Sequence, residues 1–194
     1  MPSSELTQHA RKELKAIVNG QVTRMESADL VMRFIKAEEK IIRQRHNDGA
    51  GGLEIAASRA ELLDIVLGVM FKAAIGRHEG KAPTVTLVAQ GGYGRGHLNP
   101  SSDLDLLFLL PRASNQVTKV LSSTIEEVLY ILWDAGFKVG HACRSIAECV
   151  SEARNDQQSK TALMDARYIS GDKPLFKTFQ KRFEKECVNK GQEA

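Results

Sequence analysis

The sequence predicts an α+β (α/β) fold, a small mixed β-sheet flanked by helices with a helical N-terminal extension. Three observations lead there. From Leu6 to Gly76 apolar side chains recur at three- and four-residue intervals, the spacing of one helix face. The middle of the chain changes to short β-branched or leucine-rich runs bounded by Pro, Gly and Asn. After Ser145 the helical spacing returns. Helices and strands that each carry one apolar face must cover one another, and 194 residues are enough to close one such core.

The elements follow in order. Leu6, Ala10, Leu14, Ile17 and Val18 mark a first helix, ended by Asn19-Gly20. Ser27 reads as the N-cap of a second, with Val31, Phe34, Ile35, Ile41 and Ile42 on its apolar side. The run Asn47-Asp48-Gly49-Ala50-Gly51-Gly52 breaks the pattern as a loop. A third helix, Glu54 to Gly76, is apolar enough around Leu62, Leu67 and Phe71 to lie against a sheet. Thr84–Ala89 reads as a buried strand, Asp103–Leu110 as a second stopped by Pro111, and Phe137–Cys143 as a third. Residues 115 to 135 read as a helix between the last two. The remainder reads as helical, with Ser145 a cap and Gly171-Asp172 a break. This divides the chain into an N-terminal extension (1–80), a core (81–150) and C-terminal helices (151–194).

Composition narrows the function classes. Hydrophobic residues at 42% and charged residues at 26% exclude a disordered chain. Lys+Arg 27 against Asp+Glu 24 leaves +3, too little to argue for nucleic acid as a partner. Three cysteines without CxxC spacing fit neither a disulfide framework nor a zinc ribbon, so reduced thiols in a cytoplasmic protein are expected. No apolar run is long enough for a membrane span, and the polar start MPSSELTQHARKELK is not a signal peptide. No membrane partner is expected.

The chemistry concentrates between Gly91 and Leu110. Strand alternation puts Asp103 and Asp105 on one face and Leu104 and Leu106 on the other. Two adjacent carboxylates repel, and a divalent cation removes that repulsion. Mg²⁺ takes carboxylate and phosphate oxygens and keeps several waters. Ahead of the pair, Gly91-Gly92 ends a strand and lets the backbone approach a ligand closely, as an anion nest. A short helix starting near Tyr93 would add favourable potential for phosphate. Arg95 adds bidentate hydrogen bonds, and Ser101 and Ser102 offer hydroxyls to the same group or cap the turn. A glycine turn alone is most often structural, and a lone Asp-x-Asp is most often solvated. Gly-Gly, ten intervening residues and then Asp-x-Asp opening a strand is far more specific. The motif is neither a Walker A loop, for want of G-K-[ST], nor a dinucleotide fingerprint.

With these residues the sequence resembles the polymerase β-like nucleotidyltransferase superfamily. The longer string GGYGRGHLNPSSDLDLLFLL, with YILWDAGFKVGHACRSIAEC and TALMDARYISGDKPLF, resembles the N-terminal domain of the bacterial protein-PII uridylyltransferases (uridylyl-removing enzymes). The resemblance implies transfer of UMP from UTP to a tyrosine of the PII signalling protein, with release of pyrophosphate. It implies that Gly91 and Gly92 line the triphosphate, that Arg95 and Ser102 help bind the nucleotide, and that Asp103 and Asp105 are catalytic and hold Mg²⁺. The phosphohydrolase and glutamine-sensing segments of that family find no match, so the chain reads as the catalytic N-terminal part only. Alternatives are a related nucleotidyltransferase of other nucleotide or acceptor specificity, resembling the DUF294-type nucleotidyltransferases or the glutamine-synthetase adenylyltransferases, or a non-catalytic nucleotide-binding module.

Two departures stand out. Many superfamily members carry a third carboxylate near Val139-Gly140-His141; here there is none, which leaves the general base open. His141 is a candidate base or phosphate ligand, set against a satisfied structural histidine. At His97 relatives commonly have Glu. Among other residues, Arg144 is read as a triphosphate ligand or a salt-bridge partner, Asp165 as one half of an ion pair, and Trp133, Phe137, Cys143 and Cys149 as core.

Overall fold

The computed structural model describes residues 4–77 and 82–189. The N-terminal run breaks into α1 (Ser4–Glu13) and a single turn, α2 (Lys15–Val18), rather than one helix. Next, α3 (Arg24–Asn47) begins at Thr23 and not at Ser27. Thr23 accepts from the Glu26 amide while the Glu26 carboxylate accepts from the Thr23 amide, a reciprocal capping box. Ser27 is buried and turns its hydroxyl back to the Thr23 carbonyl. The third long helix, α4 (Gly52–Gly76), is apolar over most of its circumference, as a helix enclosed by other elements must be.

A four-stranded mixed sheet occupies the middle, in the order β3-β2-β1-β4. Its strands are β1 (Thr86–Ala89), β2 (Leu104–Leu110), β3 (Val139–Ser145) and β4 (Arg167–Gly171). Antiparallel pairing joins β1 to β2 and to β4, and β2 pairs with β3 in parallel. The parallel pair is joined through α6 (Lys119–Asp134), since parallel strands need a crossover. β3 lies two residues later than the sequence suggested. β4 corrects the expectation of an all-helical C-terminal part: the short Arg-Tyr-Ile-Ser run is recruited by the free edge of β1.

Alternation along β2 divides the core. Leu104, Leu106, Phe108 and Leu110 face α3, α4 and α6. Leu107 and Leu109 face the opposite layer, built from α7 (Ile146–Asn155) and α9 (Lys173–Phe183), where Phe176, Phe179 and Phe183 stack in sequence. Between α7 and β4 lies α8 (Gln157–Met164). The sheet thus draws a strand from beyond residue 150 and is roofed by a helix from before residue 81. Ser145 is the N-cap of α7, as its sequence position suggested, and Asp172 caps α9. Trp133 departs from expectation: it is 42% exposed at the last turn of α6. Phe137 and Cys143 are only partly buried, and Cys149 is fully enclosed. Among the described residues, no helix is long and apolar enough to cross a membrane.

Candidate active site

β1 ends at Ala89 and the chain turns at once into a single helical turn, α5 (Gly91–Gly94), capped by extended Gln90. Gly91 sits at φ +56°, a left-handed conformation that side chains other than glycine rarely adopt. The turn is closed by the Gly94 amide to the Gln90 carbonyl (2.8 Å) and the Arg95 amide to the Gly91 carbonyl (3.1 Å). At its start the amides of Gly91, Gly92 and Tyr93 have no helical carbonyl ahead of them to bond. The Leu98 amide donates to the Ala56 carbonyl (2.9 Å), tying the loop's exit to α4.

The chain re-enters the sheet through Asn99-Pro100-Ser101-Ser102. The Ser102 amide donates to the Asn99 carbonyl (3.2 Å), Pro100 occupies the second position, and Ser101 lies at φ +65°. These are the features of a type II turn, in which the third position calls for glycine or asparagine. Ser101 is the one non-glycine residue at positive φ among those described, and it lies two positions from Asp103.

Asp103 and Asp105 flank the buried Leu104 and are both exposed, so they share the face opposite Leu104. The Gln90 amide donates to the Asp105 carbonyl (3.0 Å), which fixes the glycine turn beside the acid pair. A Cβ on Gly91 would stand 3.4 Å from Asp105 Oδ2, and one on Gly140 would stand 2.6 Å from Asp105 Oδ1. Gly140 is the register partner of Asp105, so the absent third carboxylate has a steric reason: Asp105 fills the space above that position. Desolvation, then the charge of Asp103, hold the Asp105 carboxyl above the usual carboxylate range. Among the described residues no donor bonds to either carboxylate, and no third Asp, Glu, His or Cys joins them as a metal-binding group.

The remaining candidates are distributed as follows. Arg95 is exposed and ion-pairs with Asp165, while its guanidinium lies near Gly92, whose Cβ would stand 3.7 Å away. Ser102 is exposed in the turn. His97 is exposed, and its amide bonds the Gly92 carbonyl (3.2 Å). His141 pairs in register with Leu106, one residue past Asp105, and therefore projects to the other face. It stacks edge-on against Trp133 at 5.9 Å between ring centres, away from the acid pair. Arg144 is bound to Glu152 at 3.2 Å.

Sequence reasoning did not find the contacts that hold the glycine turn. Tyr93 is buried and its hydroxyl donates to Asp64 Oδ1 of α4 (2.7 Å). Arg167, the first residue of β4, donates from Nε to the Gly94 carbonyl (3.1 Å) and from Nη2 to the Tyr93 carbonyl (3.0 Å). The same guanidinium binds both oxygens of Asp64 and lies over the Tyr93 ring at 5.3 Å. Burial, reinforced by Asp64, pushes the Tyr93 phenol well above its ordinary range. Gly94 has its own constraint: a Cβ there would stand 2.2 Å from the Asp165 carbonyl oxygen. No motif links Asp64 to Arg167 across 103 positions; the only local signal was Arg-Tyr-Ile-Ser before Gly171.

Comparison with known proteins supplies the family. Residues 74–169 match the nucleotidyltransferase domain model. The chain is 38% identical over 167 residues to the bifunctional uridylyltransferase/uridylyl-removing enzyme of Rhodopseudomonas palustris, covering 83% of this chain and 17% of that protein. Proteins of the same description from Gluconobacter oxydans and Bradyrhizobium diazoefficiens are 37% and 36% identical over 82% and 83% of the chain. The chain spans 17% of the length of each of these curated relatives. The glycine turn, the acid pair and the Asp64–Arg167 contacts come together in and around the matched segment, and the chain belongs to the nucleotidyltransferase domain family, a family of enzymes.

Proposed function

We propose that the chain transfers UMP from UTP to a tyrosine hydroxyl of the PII signalling protein, in the cytoplasm, with release of pyrophosphate. The observation that carries this reading is the placement of Asp103 and Asp105, free of hydrogen-bond donors, beside the Gly91–Gly94 turn. Uridylyl transfer is the activity in the printed name of the relatives, and the acceptor follows from the sequence resemblance.

Asp103 and Asp105 are suited to Mg²⁺. They are two exposed oxygen donors whose mutual repulsion a cation relieves, and two protein ligands leave room for the waters and phosphate oxygens that Mg²⁺ retains. When bound there, the ion would neutralise charge on the triphosphate oxygens. The amides of Gly91 and Gly92 face the phosphates, and Arg95 exchanges its ion pair with Asp165 for phosphate oxygens. In the transfer the acceptor's phenolic oxygen gives up its proton to solvent and bonds to the α-phosphorus, and the bond from that phosphorus to pyrophosphate breaks. The residues of this chain chiefly position and hold charge. His141 projects from the other face of the sheet, against Trp133, which argues against it as the base.

The test is transfer of labelled UMP to PII in the presence of Mg²⁺, by the full chain and by Asp103→Asn and Asp105→Asn. Transfer by the parent and none by the variants supports the reading. Equal labelling by all three removes the acid pair from the mechanism. A panel of UTP, ATP and CTP, read by calorimetry, checks the nucleotide; preference for ATP would point to adenylyl transfer instead.

A further inference from the structure

We propose that Arg167, oriented by Asp64, is a positioning residue that sets the Gly91–Gly94 turn for the triphosphate. This inference rests on the nucleotide site proposed above and concerns residues outside its motif.

Three contacts converge on one turn from two distant elements. The Arg167 guanidinium donates to the carbonyls of both Tyr93 and Gly94, at 3.0 and 3.1 Å. These are the last carbonyls of the turn, where a cation is favoured by the aligned peptide dipoles. Asp64, from α4, grips the same guanidinium with both carboxylate oxygens and accepts the Tyr93 hydroxyl at 2.7 Å. Fixing two successive carbonyls fixes the peptide planes that carry the Gly94 and Arg95 amides. Those amides close the turn onto the Gln90 and Gly91 carbonyls at 2.8 and 3.1 Å. The orientation of Gly91 and Gly92 beside Asp105 is therefore set from behind, by groups that do not face the acid pair.

The chemistry of the brace argues for direction rather than mere adhesion. A loop can be pinned by apolar packing without desolvating charges, and buried ion pairs add little net stability over apolar packing of the same volume. A bidentate guanidinium–carboxylate pair instead imposes geometry: its donors lie in one plane with fixed angles. Here every donor nitrogen of Arg167 is engaged, two of them on loop carbonyls. Lysine keeps the charge but cannot reproduce that fork.

The experiment uses the full chain and calorimetric titration with UTP and with UMP, each with Mg²⁺. The parent, Asp103→Asn, Arg167→Met, Arg167→Lys and Tyr93→Phe are compared well below their melting temperatures. If Arg167 positions the turn, Arg167→Met lowers the ratio of UTP to UMP affinity by ~10-fold or more, the scale of losing one charge-assisted hydrogen bond. Arg167→Lys recovers part of that loss, and Tyr93→Phe, which removes only the hydroxyl to Asp64, lowers the ratio a few-fold. An unchanged ratio in the Arg167 variants overturns the proposal, whatever happens to the melting temperature, because a purely structural brace moves stability and not phosphate discrimination. Should Arg167→Met fail to fold, Arg167→Lys and Tyr93→Phe decide by the same ratio. A parent that binds UTP and loses it in Asp103→Asn, beside Arg167 variants that discriminate normally, defeats this inference alone. A parent that binds no UTP defeats the nucleotide site and this inference together.

Discussion

Asp105 and Glu148 lie at opposite ends of the same parallel strand pair, and their carboxyl groups have moved in opposite directions. Asp105, at the start of β2, has no donor within reach; burial and the neighbouring Asp103 raise it. Glu148 stands just beyond the end of β3. Burial pushes it up too, but the amides and hydroxyls of Ser145 and Ser114 outweigh that and hold it at about 2. At one end of the sheet the Glu148 carboxylate is answered from within the chain, by Ser145 and Ser114. The other presents two exposed carboxylates that accept no hydrogen bond from the described residues. A group whose fold satisfies it serves the fold, and the unsatisfied pair is where binding energy remains to be collected.

The largest expected effect lies at the unsatisfied end. On the uridylyl transfer proposed above, Asp103→Asn or Asp105→Asn lowers UMP transfer by on the order of a thousandfold, the several kcal/mol that a divalent cation would contribute to such a transition state. The same substitutions leave the melting temperature equal or higher, because they remove a repulsion. A fall in melting temperature alongside unchanged transfer would erase the contrast with Glu148. Gly140→Ala comes next: its methyl group would meet Asp105 Oδ1 at 2.6 Å, and displacing the carboxylate lowers Mg²⁺-dependent transfer by roughly tenfold with the fold retained. Activity at the parent level would show that the acid tolerates displacement.

Stability against pH sharpens the comparison further. The Asp105 carboxyl, raised in the folded state, favours folding below its unfolded value, and that contribution is lost as pH rises through the raised one. Glu148 behaves in reverse: its contribution is present above the unfolded value and disappears as pH falls towards about 2. Glu148→Gln is expected to destabilise by about 1 kcal/mol at neutral pH, the scale of a lost capping interaction, and Asp105→Asn to stabilise. Denaturant unfolding at pH 7 and near pH 4 reads both signs. Mg²⁺ binding should likewise weaken on acidification at a pH above the ordinary aspartate range, which calorimetry checks. The smallest effect is Ser101→Gly, which relieves the left-handed φ of +65° and gains at most a few tenths of a kcal/mol after the added freedom of the unfolded chain is counted. The melting temperature measures it.

How much of this was legible depended on how local each determinant is. The β2 strand could be read because Leu106 to Leu110 is apolar on both faces and stopped by Pro111. The glycine turn and the acid pair could be read because the motif is contiguous and its spacing fixes register. Ser145 as a cap could be read from Glu148 three residues on. Thr23 has the same signature with Glu26, and the capping box forms there rather than at Ser27. β4 could not be read, since five residues following a helix become a strand only through the edge of β1. Trp133 reads as core by residue type, whereas the last turn of α6 brings it out beside His141. The brace was hidden for the strongest reason: its partners are separated by 29 and 103 positions and share no pattern.

That separation has a consequence for the growing polypeptide. The glycine turn and both aspartates leave the ribosome together, and β1 can pair with β2 as soon as Leu110 follows. Arg167, 74 positions after Tyr93, comes much later. Throughout that interval the nascent chain carries every letter of its recognisable motif while the Tyr93 and Gly94 carbonyls lack their Arg167 partner, so on the positioning role proposed above competence arrives with β4 and not with the signature.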